Sequence, residues 1–213
     1  MGTKKYRLTG NHINIGNRIL YQIEALKDFG NVKAGDLGGY IESEKNLSQY
    51  DNAWVYGNAE VYGDAQVRGN AQVCDNAQVF GNAEVYGDAE VYGDAQVRGN
   101  AEVYGDAQVR DNAQVRDNAE VFGNAWVYGD AEIKSKEDYI VFKNWWSSGR
   151  YFTWTRSNNM WKVGCFYGTG EELIKKAYND SKESGREYER IVRYVESILA
   201  DEKRKENEPI GIK

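Results

Sequence analysis

Residues 81–100 read GNAEVYGDAEVYGDAQVRGN, nearly the same six letters three times over. Each hexad starts with Asn or Asp, continues with Ala, a variable residue, Val and a second variable residue, and closes on Gly or Asp, or on Ser135 in the last. Followed outward, the pattern runs without insertion from residue 52 to residue 135, which is 14 hexads. Ala recurs from Ala53 to Ala131. Val follows two residues later from Val55 to Val127, and Ile133 takes its place in the last hexad. A period of six does not track the helical turn, so a helix cannot hold Ala and Val on one face. On an extended chain, residues two apart share a face. Gly-Asn, Gly-Asp and Asp-Asn then turn the chain, because these residues tolerate left-handed backbone. A strand this short buries little alone. The hexads must therefore stack as coils around a narrow Ala/Val interior, joined by a continuous backbone ladder. Residues 46–51 read as one further, degenerate hexad in the same register.

Over residues 46–135 this pattern resembles the hexapeptide-repeat proteins. The resemblance implies a left-handed parallel β-helix with three hexads per coil. Fifteen hexads would then make five coils, a prism about 24 Å long at about 4.8 Å per coil. FGNVKAGDLGGYIESEKNLSQ (29–49) and VGCFYGTGEELIKKA (163–177) resemble the caps of uncharacterised members encoded by phages and prophages.

The expected fold is mainly β, in three parts. Residues 1–45 form an N-terminal β cap, with a hairpin turning at Gly16-Asn17 and Phe29, Val32, Leu37 and Ile41 closing the first coil. Residues 46–135 form the solenoid. Residues 136–213 form a small β-β-β-α-α domain, with aromatic strands near 139–146, 151–156 and 160–167. Thr169-Gly170-Glu171-Glu172 reads as a capping box for a helix over about 170–179, and Ser184-Gly185-Arg186-Glu187 as a second one. The second helix would bury Tyr188, Ile191, Val192, Val195, Ile198 and Leu199. The end of the chain, 201–213, reads as frayed.

Charge excludes some functions. The net charge is −6, but residues 46–135 carry 5 Lys/Arg against 15 Asp/Glu. Phosphate contacts need clustered cations, so direct nucleic-acid binding by the solenoid is not expected. An acidic surface suits a basic partner instead. No apolar run is long enough to span a membrane, and the first residues lack a secretory h-region. Two cysteines without a CxxC argue against a disulfide framework and fit an intracellular location; the resemblance to phage-encoded members makes the expected location the bacterial cytoplasm.

With three hexads per coil, outward residues 18 apart stack in columns. The residues after Val give Tyr56, Cys74, Tyr92, Arg110, Tyr128, then Tyr62, Phe80, Arg98, Arg116, Lys134, and third Arg68, Tyr86, Tyr104, Phe122. The residue before Val gives Trp54, Gln72, Glu90, Gln108, Trp126 on one face. These columns are stacking ladders first. A flat aromatic face is also an interface candidate, since Tyr, Trp and Arg are enriched in protein contacts. The third column, flanked by Glu84, Glu102 and Glu120, is the leading candidate. The C-terminal domain offers a second, a basic-aromatic patch of Trp145, Trp146, Arg150, Trp154 and Arg156, with Trp161 and Lys162 nearby.

Enzymatic chemistry finds little support. The resemblance brings to mind acyltransferases, which use a histidine base near a subunit junction, yet the coils hold none. His12 lies in the N-terminal cap and reads as a surface residue. No histidine ligands are available for zinc in the coils. The repeated Asp and Asn read as turn residues rather than calcium ligands, and Cys74 as a free exposed thiol. No catalytic residue, metal or cofactor is assigned. The expected function is a non-enzymatic protein-binding scaffold, forming a homodimer or homotrimer. The phage resemblance points to an accessory or anti-defence, anti-CRISPR-like inhibitor of a host protein or nucleoprotein complex, acting by occlusion or as an acidic decoy. The alternatives are an acyltransferase-like or small-ligand protein with sites between subunits, and a structural phage or self-assembling component.

Overall fold

The structure is a computed structural model, and it describes residues 4–207. Strands β1 (Tyr6–Ile15), β2 (Arg18–Ala25) and β3 (Leu37–Ile41) precede fourteen two-residue rungs, β4 (Trp54–Val55) to β17 (Glu132–Ile133). The rungs recur at the period of the hexads and stack on three faces. One face is β4, β7 (Gln72–Val73), β10 (Glu90–Val91), β13 (Gln108–Val109) and β16 (Trp126–Val127). The second is β5 (Glu60–Val61), β8 (Gln78–Val79), β11 (Gln96–Val97), β14 (Gln114–Val115) and β17, extended by β3, β2 and β1 into eight strands. The third is β6 (Gln66–Val67), β9 (Glu84–Val85), β12 (Glu102–Val103) and β15 (Glu120–Val121). The rungs pair in parallel, residue i with i+18, as in Glu84↔Glu102↔Glu120. This is the β-solenoid of about five turns that the hexads require. Its interior is the column of Ala and Val side chains, all closed to solvent.

The backbone ladder has one polarity. Trp54 N–H donates to Ala71 O (3.1 Å), Tyr56 N–H to Val73 O (2.7 Å) and Asn58 N–H to Asp75 O (2.9 Å), and so on up the stack. The first coil therefore ends in unused carbonyls and the last coil in unused N–H groups, and a buried group of either kind needs a partner. The two ends of the chain answer with opposite chemistry. At the N-terminal end donors arrive: Lys5 Nζ donates to Ala53 O (2.8 Å), Tyr6 OH to Leu47 O (2.7 Å), and Asn46 Nδ2 to Gly63 O and Ala65 O (3.0 and 2.9 Å). At the C-terminal end acceptors arrive. Trp126 N–H donates to Thr153 Oγ1 (2.9 Å), Glu132 N–H to Ser157 Oγ (2.7 Å) and Lys134 N–H to Asp138 Oδ2 (2.7 Å). Lys5 is buried for this task, and the burial pulls its ammonium down to about 8.

The hairpin turns at Gly16-Asn17 as expected, with Gly16 at φ +58. Val32 and Ile41 are buried and Phe29 is half-buried over the first coil, but Leu37 is exposed. Trp54 does not face outward. It is closed under the cap, edge-on to Tyr6 (6.1 Å) and Phe29 (5.3 Å). The degenerate hexad is out of register by two residues. Leu47, not Gln49, stands opposite Val67, and Ser48 N–H donates to Val67 O (2.9 Å). Leu47 fills the interior of the end coil in place of a valine, and Gln49 is released to accept from Lys5 N–H (2.8 Å). Tyr50 is thereby pushed out of the ladder, 82% exposed.

The C-terminal domain has four strands rather than three: β18 (Tyr139–Lys143), β19 (Tyr151–Thr155), β20 (Met160–Val163) and β21 (Phe166–Gly168), in that order in one antiparallel sheet. The run expected over 160–167 breaks because Gly164, at φ +55, turns it back on itself. α1 (Gly170–Asp180) starts at the expected capping box, with Thr169 and Glu172 reciprocally bonded. α2 (Lys182–Asn207) starts earlier than expected. Ser181, not Ser184, meets its first turn, accepting from Ser184 N–H at 3.0 Å, because the α1–α2 link is a single residue. Tyr188, Val192 and Val195 are buried against the sheet, with Ile191 and Leu199 packed alongside. The helix runs on to Asn207 where fraying was expected; residues 208–213 lie outside the described residues. No helix among the described residues is long and apolar enough to cross a membrane.

Candidate interaction surface

The variable residues after Val project from the rungs at the spacing of the coils. On the β6–β9–β12–β15 face this makes an unbroken column. Arg68 lies over the Tyr86 ring (4.1 Å to the centroid). Tyr86 stacks on Tyr104 (4.9 Å, 1° between planes), and Tyr104 on Phe122 (5.4 Å, 11°). The neighbouring glutamates stand one above another in the same register. Like charges at this spacing repel, and the aromatic column relieves it. Arg68 pairs with Glu84, Tyr86 OH donates to Glu102 Oε2 (2.8 Å), and Tyr104 OH to Glu120 Oε2 (3.4 Å). Each polar tip reaches the carboxylate of the coil above. Partial burial and the Glu102 carboxylate push the Tyr86 phenol up to about 12, so it stays a donor at neutral pH.

Phe122 ends the column without a hydroxyl and is 44% exposed. It opens onto an apolar groove of about 540 Å³ between the last coil and the C-terminal sheet, lined also by Gly123, Asn124, Tyr139, Ile140, Val141, Tyr151 and Lys136. The column and the groove together form one continuous surface.

The other two columns are occupied. Arg110 is held between Tyr92 (3.7 Å) and Tyr128 (5.1 Å), and Tyr128 is buried under Lys162 (4.3 Å) and Tyr167, whose hydroxyl donates to Tyr128 O. Tyr62 stacks on Phe80 (5.0 Å) below Arg98 and Arg116, and Arg116 pairs with Glu132 (2.9 Å). The hexad-start residues form side-chain ladders of their own. Asn52 Nδ2 donates to Asn70 Oδ1 (3.0 Å), and Asn70 Nδ2 to Asp88 Oδ1 (2.9 Å). This is turn and ladder chemistry.

The expected C-terminal patch is not assembled. Trp154 is in the domain core with Trp161, and Trp146 is half-buried against Tyr188 (4.9 Å). Arg156 is engaged by Glu202 (2.6 Å) and by Glu137 O. The sheet needed two indoles to cover α1 and α2, so alternation drew Trp154 inward. Trp145 and Arg150 stay exposed on the β18–β19 turn. His12 is exposed on β1, 6.2 Å from the Tyr21 ring. Cys74 is half-buried rather than exposed, and burial pushes its thiol up to about 12, which suppresses the thiolate. Among the described residues no cluster of three or more His, Cys, Asp or Glu converges as a metal site does.

Sequence reading identified the column but missed the groove and the end-capping residues Lys5, Asn46, Thr153 and Ser157. One signal was present. The tetrads Ser43-Glu44-Lys45-Asn46 and Ser135-Lys136-Glu137-Asp138 bracket the repeat, and both fold as a short turn in which the serine N–H donates to the fourth side chain (2.9 Å each).

No protein-family model matches the chain, and no curated protein matches it.

Proposed function

We propose that this chain is a non-enzymatic protein-binding scaffold, a stiff solenoid that presents the Arg68–Phe122 column and the groove beyond it to a partner protein. The observation that carries the reading is their continuity: stacked rings with exposed edges lead directly into an apolar groove. Size bears on the partner. Four stacked hexads of six residues cover about 400 Å², roughly half of the ~800 Å² per partner in a standard interface. The flat face alone is thus too small for a stable homodimer, and a partner must also use the groove. In this reading the protein acts in the bacterial cytoplasm by occluding a host protein or nucleoprotein complex, an anti-defence role of the kind that its phage-like caps suggest.

Occlusion is favoured over an acidic decoy. Glu84 is already paired with Arg68, and Glu102 and Glu120 each have an oxygen engaged by a tyrosine hydroxyl of their own column, so none of the three is a free carboxylate waiting for a basic partner. The test is affinity capture of tagged protein from bacterial lysate at moderate salt, read by mass spectrometry. A stoichiometric partner retained by the wild type and lost by Tyr86→Ala/Tyr104→Ala is expected. No partner, or equal retention by the variant, removes the reading. Loss of the partner on changing Glu84, Glu102 and Glu120 together to Gln would restore the decoy.

A further inference from the structure

Every open sheet has edges, and an unpaired edge is a template for another strand. Most edges here are blunted. β1 slips in register against β2 between Leu8 and His12, a bulge that bends it away. β21 is three residues long and leads at once into α1. The end rungs of the solenoid meet the capping donors and acceptors already described. β18 has none of these devices. Tyr139-Ile140-Val141-Phe142-Lys143 is the terminal strand of its sheet and pairs with β19 in unbroken register, from Tyr139↔Thr155 to Lys143↔Tyr151. It holds no Pro or Gly and a single charge, at its end.

The orientation of its backbone follows from two hydrogen bonds. Arg156 N–H donates to Asp138 O and Asn144 N–H to Arg150 O, both at 2.8 Å. The even-numbered residues therefore turn their backbone groups toward β19, and the alternate residues face the other way. The N–H and C=O of Tyr139 and Val141, and the N–H of Lys143, point to the free edge. Lys143 O is taken by Trp145 N–H (3.0 Å). That edge borders the apolar groove, with Phe122, Gly123 and Asn124 across it.

We propose that β18 is a docking edge: the partner adds an extended segment to it as a fifth strand, its apolar side chains entering the groove between Phe122 and Tyr151. Main-chain bonds supply affinity in this mode and side-chain pockets supply specificity. The proposal rests on the protein-binding reading and deepens it. Charge selects the partner's chemistry. Lys136 stands before β18 and Lys143 ends it, and neither makes an ion pair among the described residues; Lys143 only lies over the Tyr151 ring (5.5 Å). Two copies pairing antiparallel about Val141 would set Lys143 of each chain opposite Tyr139 of the other, with Lys136 three residues beyond, so each end of the paired edge would gather two cations and no anion from the strands themselves. The complementary segment is β-branched and apolar in the middle and acidic at its flanks.

The probe is a fluorescein-labelled octapeptide of alternating Val and Thr with Asp at both ends, titrated with the full chain and followed by anisotropy. Saturable binding is expected, weakened about tenfold or more when alternate peptide amides are N-methylated. Val141→Pro should weaken it similarly with an unchanged circular dichroism spectrum, because that N–H faces away from β19 and Pro is tolerated there. Lys136→Glu/Lys143→Glu should weaken binding and invert its salt dependence. No binding to the wild type, or binding indifferent to both backbone blocks, overturns the proposal. So does a wild-type dimer in light scattering that Val141→Pro dissolves, which would place a second copy on the edge. If a captured partner depends on Tyr86 and Tyr104 but not on Val141, the binding surface stands and the docking edge falls.

Discussion

Replacing Thr153 with Val tests the idea that the C-terminal domain holds the solenoid by supplying acceptors. Val has the shape of Thr without the oxygen. Thr153 is 1% exposed, and its Oγ1 accepts from Trp126 N–H at 2.9 Å. In the variant that N–H, on the last coil with no coil above it, loses its acceptor at a buried contact. Leaving a buried donor unpaired costs about 1–3 kcal/mol. For a chain of this size each kcal/mol lowers Tm by about 2–4 °C, so a fall of about 2–12 °C is expected. Ser157→Ala is the matched control. It removes the acceptor of Glu132 N–H, but at an exposed position where water can substitute, and its effect should stay within about 0.5 kcal/mol. Calorimetry gives Tm, and hydrogen exchange should show the Trp126 amide opening faster in Thr153→Val alone. A Thr153→Val protein that melts within about 1 °C of wild type, with the Trp126 amide equally protected, would falsify the end-capping argument.

Gly93 and Gly123 occupy the same place in the hexad, at φ +76 and +64, but a Cβ on Gly93 would meet Asp111 N at 2.9 Å whereas one on Gly123 meets nothing. Gly123→Ala should cost about 1–2 kcal/mol from the left-handed backbone alone and Gly93→Ala distinctly more; equal losses in urea melts would deny the close coil contact. Burial lowers the Lys5 ammonium from 10.5 to about 8, so the unfolded chain binds more protons between those values. Wild type should therefore gain stability on Lys5→Met as pH rises from about 8 to about 10.5, by up to about 1.4 kcal/mol per pH unit, and parallel profiles would contradict this. Tyr104→Ala removes two stacked pairs and should cost about 1–3 kcal/mol, while Tyr104→Phe, which loses only a 3.4 Å exposed hydrogen bond, should be near neutral; a large effect of Tyr104→Phe would mean that the hydroxyls, not the rings, hold the column. With a thiol reagent at neutral pH, the exposed Cys165 should react well before the half-buried Cys74; equal rates in mass spectrometry would show that the second coil opens.

Legibility followed the range of the interactions. The hexads were readable because each one repeats the same contacts, so Ala83 in the middle of the repeat reports the environment of Ala53 and Ala131. The aromatic column was readable for the same reason, since residues 18 apart must stack once three hexads close a coil. Errors gathered where translation stops. Leu47 shifted the degenerate hexad because the end coil has a neighbour on one side only. Trp54 turned inward because the cap, not the next coil, covers it. Trp154 went to the core and Trp145 did not, though both are tryptophans in one aromatic stretch, because Trp154 lies on β19 on the face that meets α1 and α2 whereas Trp145 falls in the turn after β18, where no neighbouring element covers it.

From the sequence alone came the solenoid, its period, its three faces and the residues that line them, because a periodic chain meets the same physics at every turn. The tertiary structure decided what happens at the ends. The ladder has one polarity, so the N-terminal cap must bring donors and the C-terminal domain acceptors, and side chains distant in sequence meet there for that purpose. The open edge of β18 and the groove beside Phe122 arise from the same junction. No local pattern records them, because they exist only where a coil without a successor meets a sheet of a different kind.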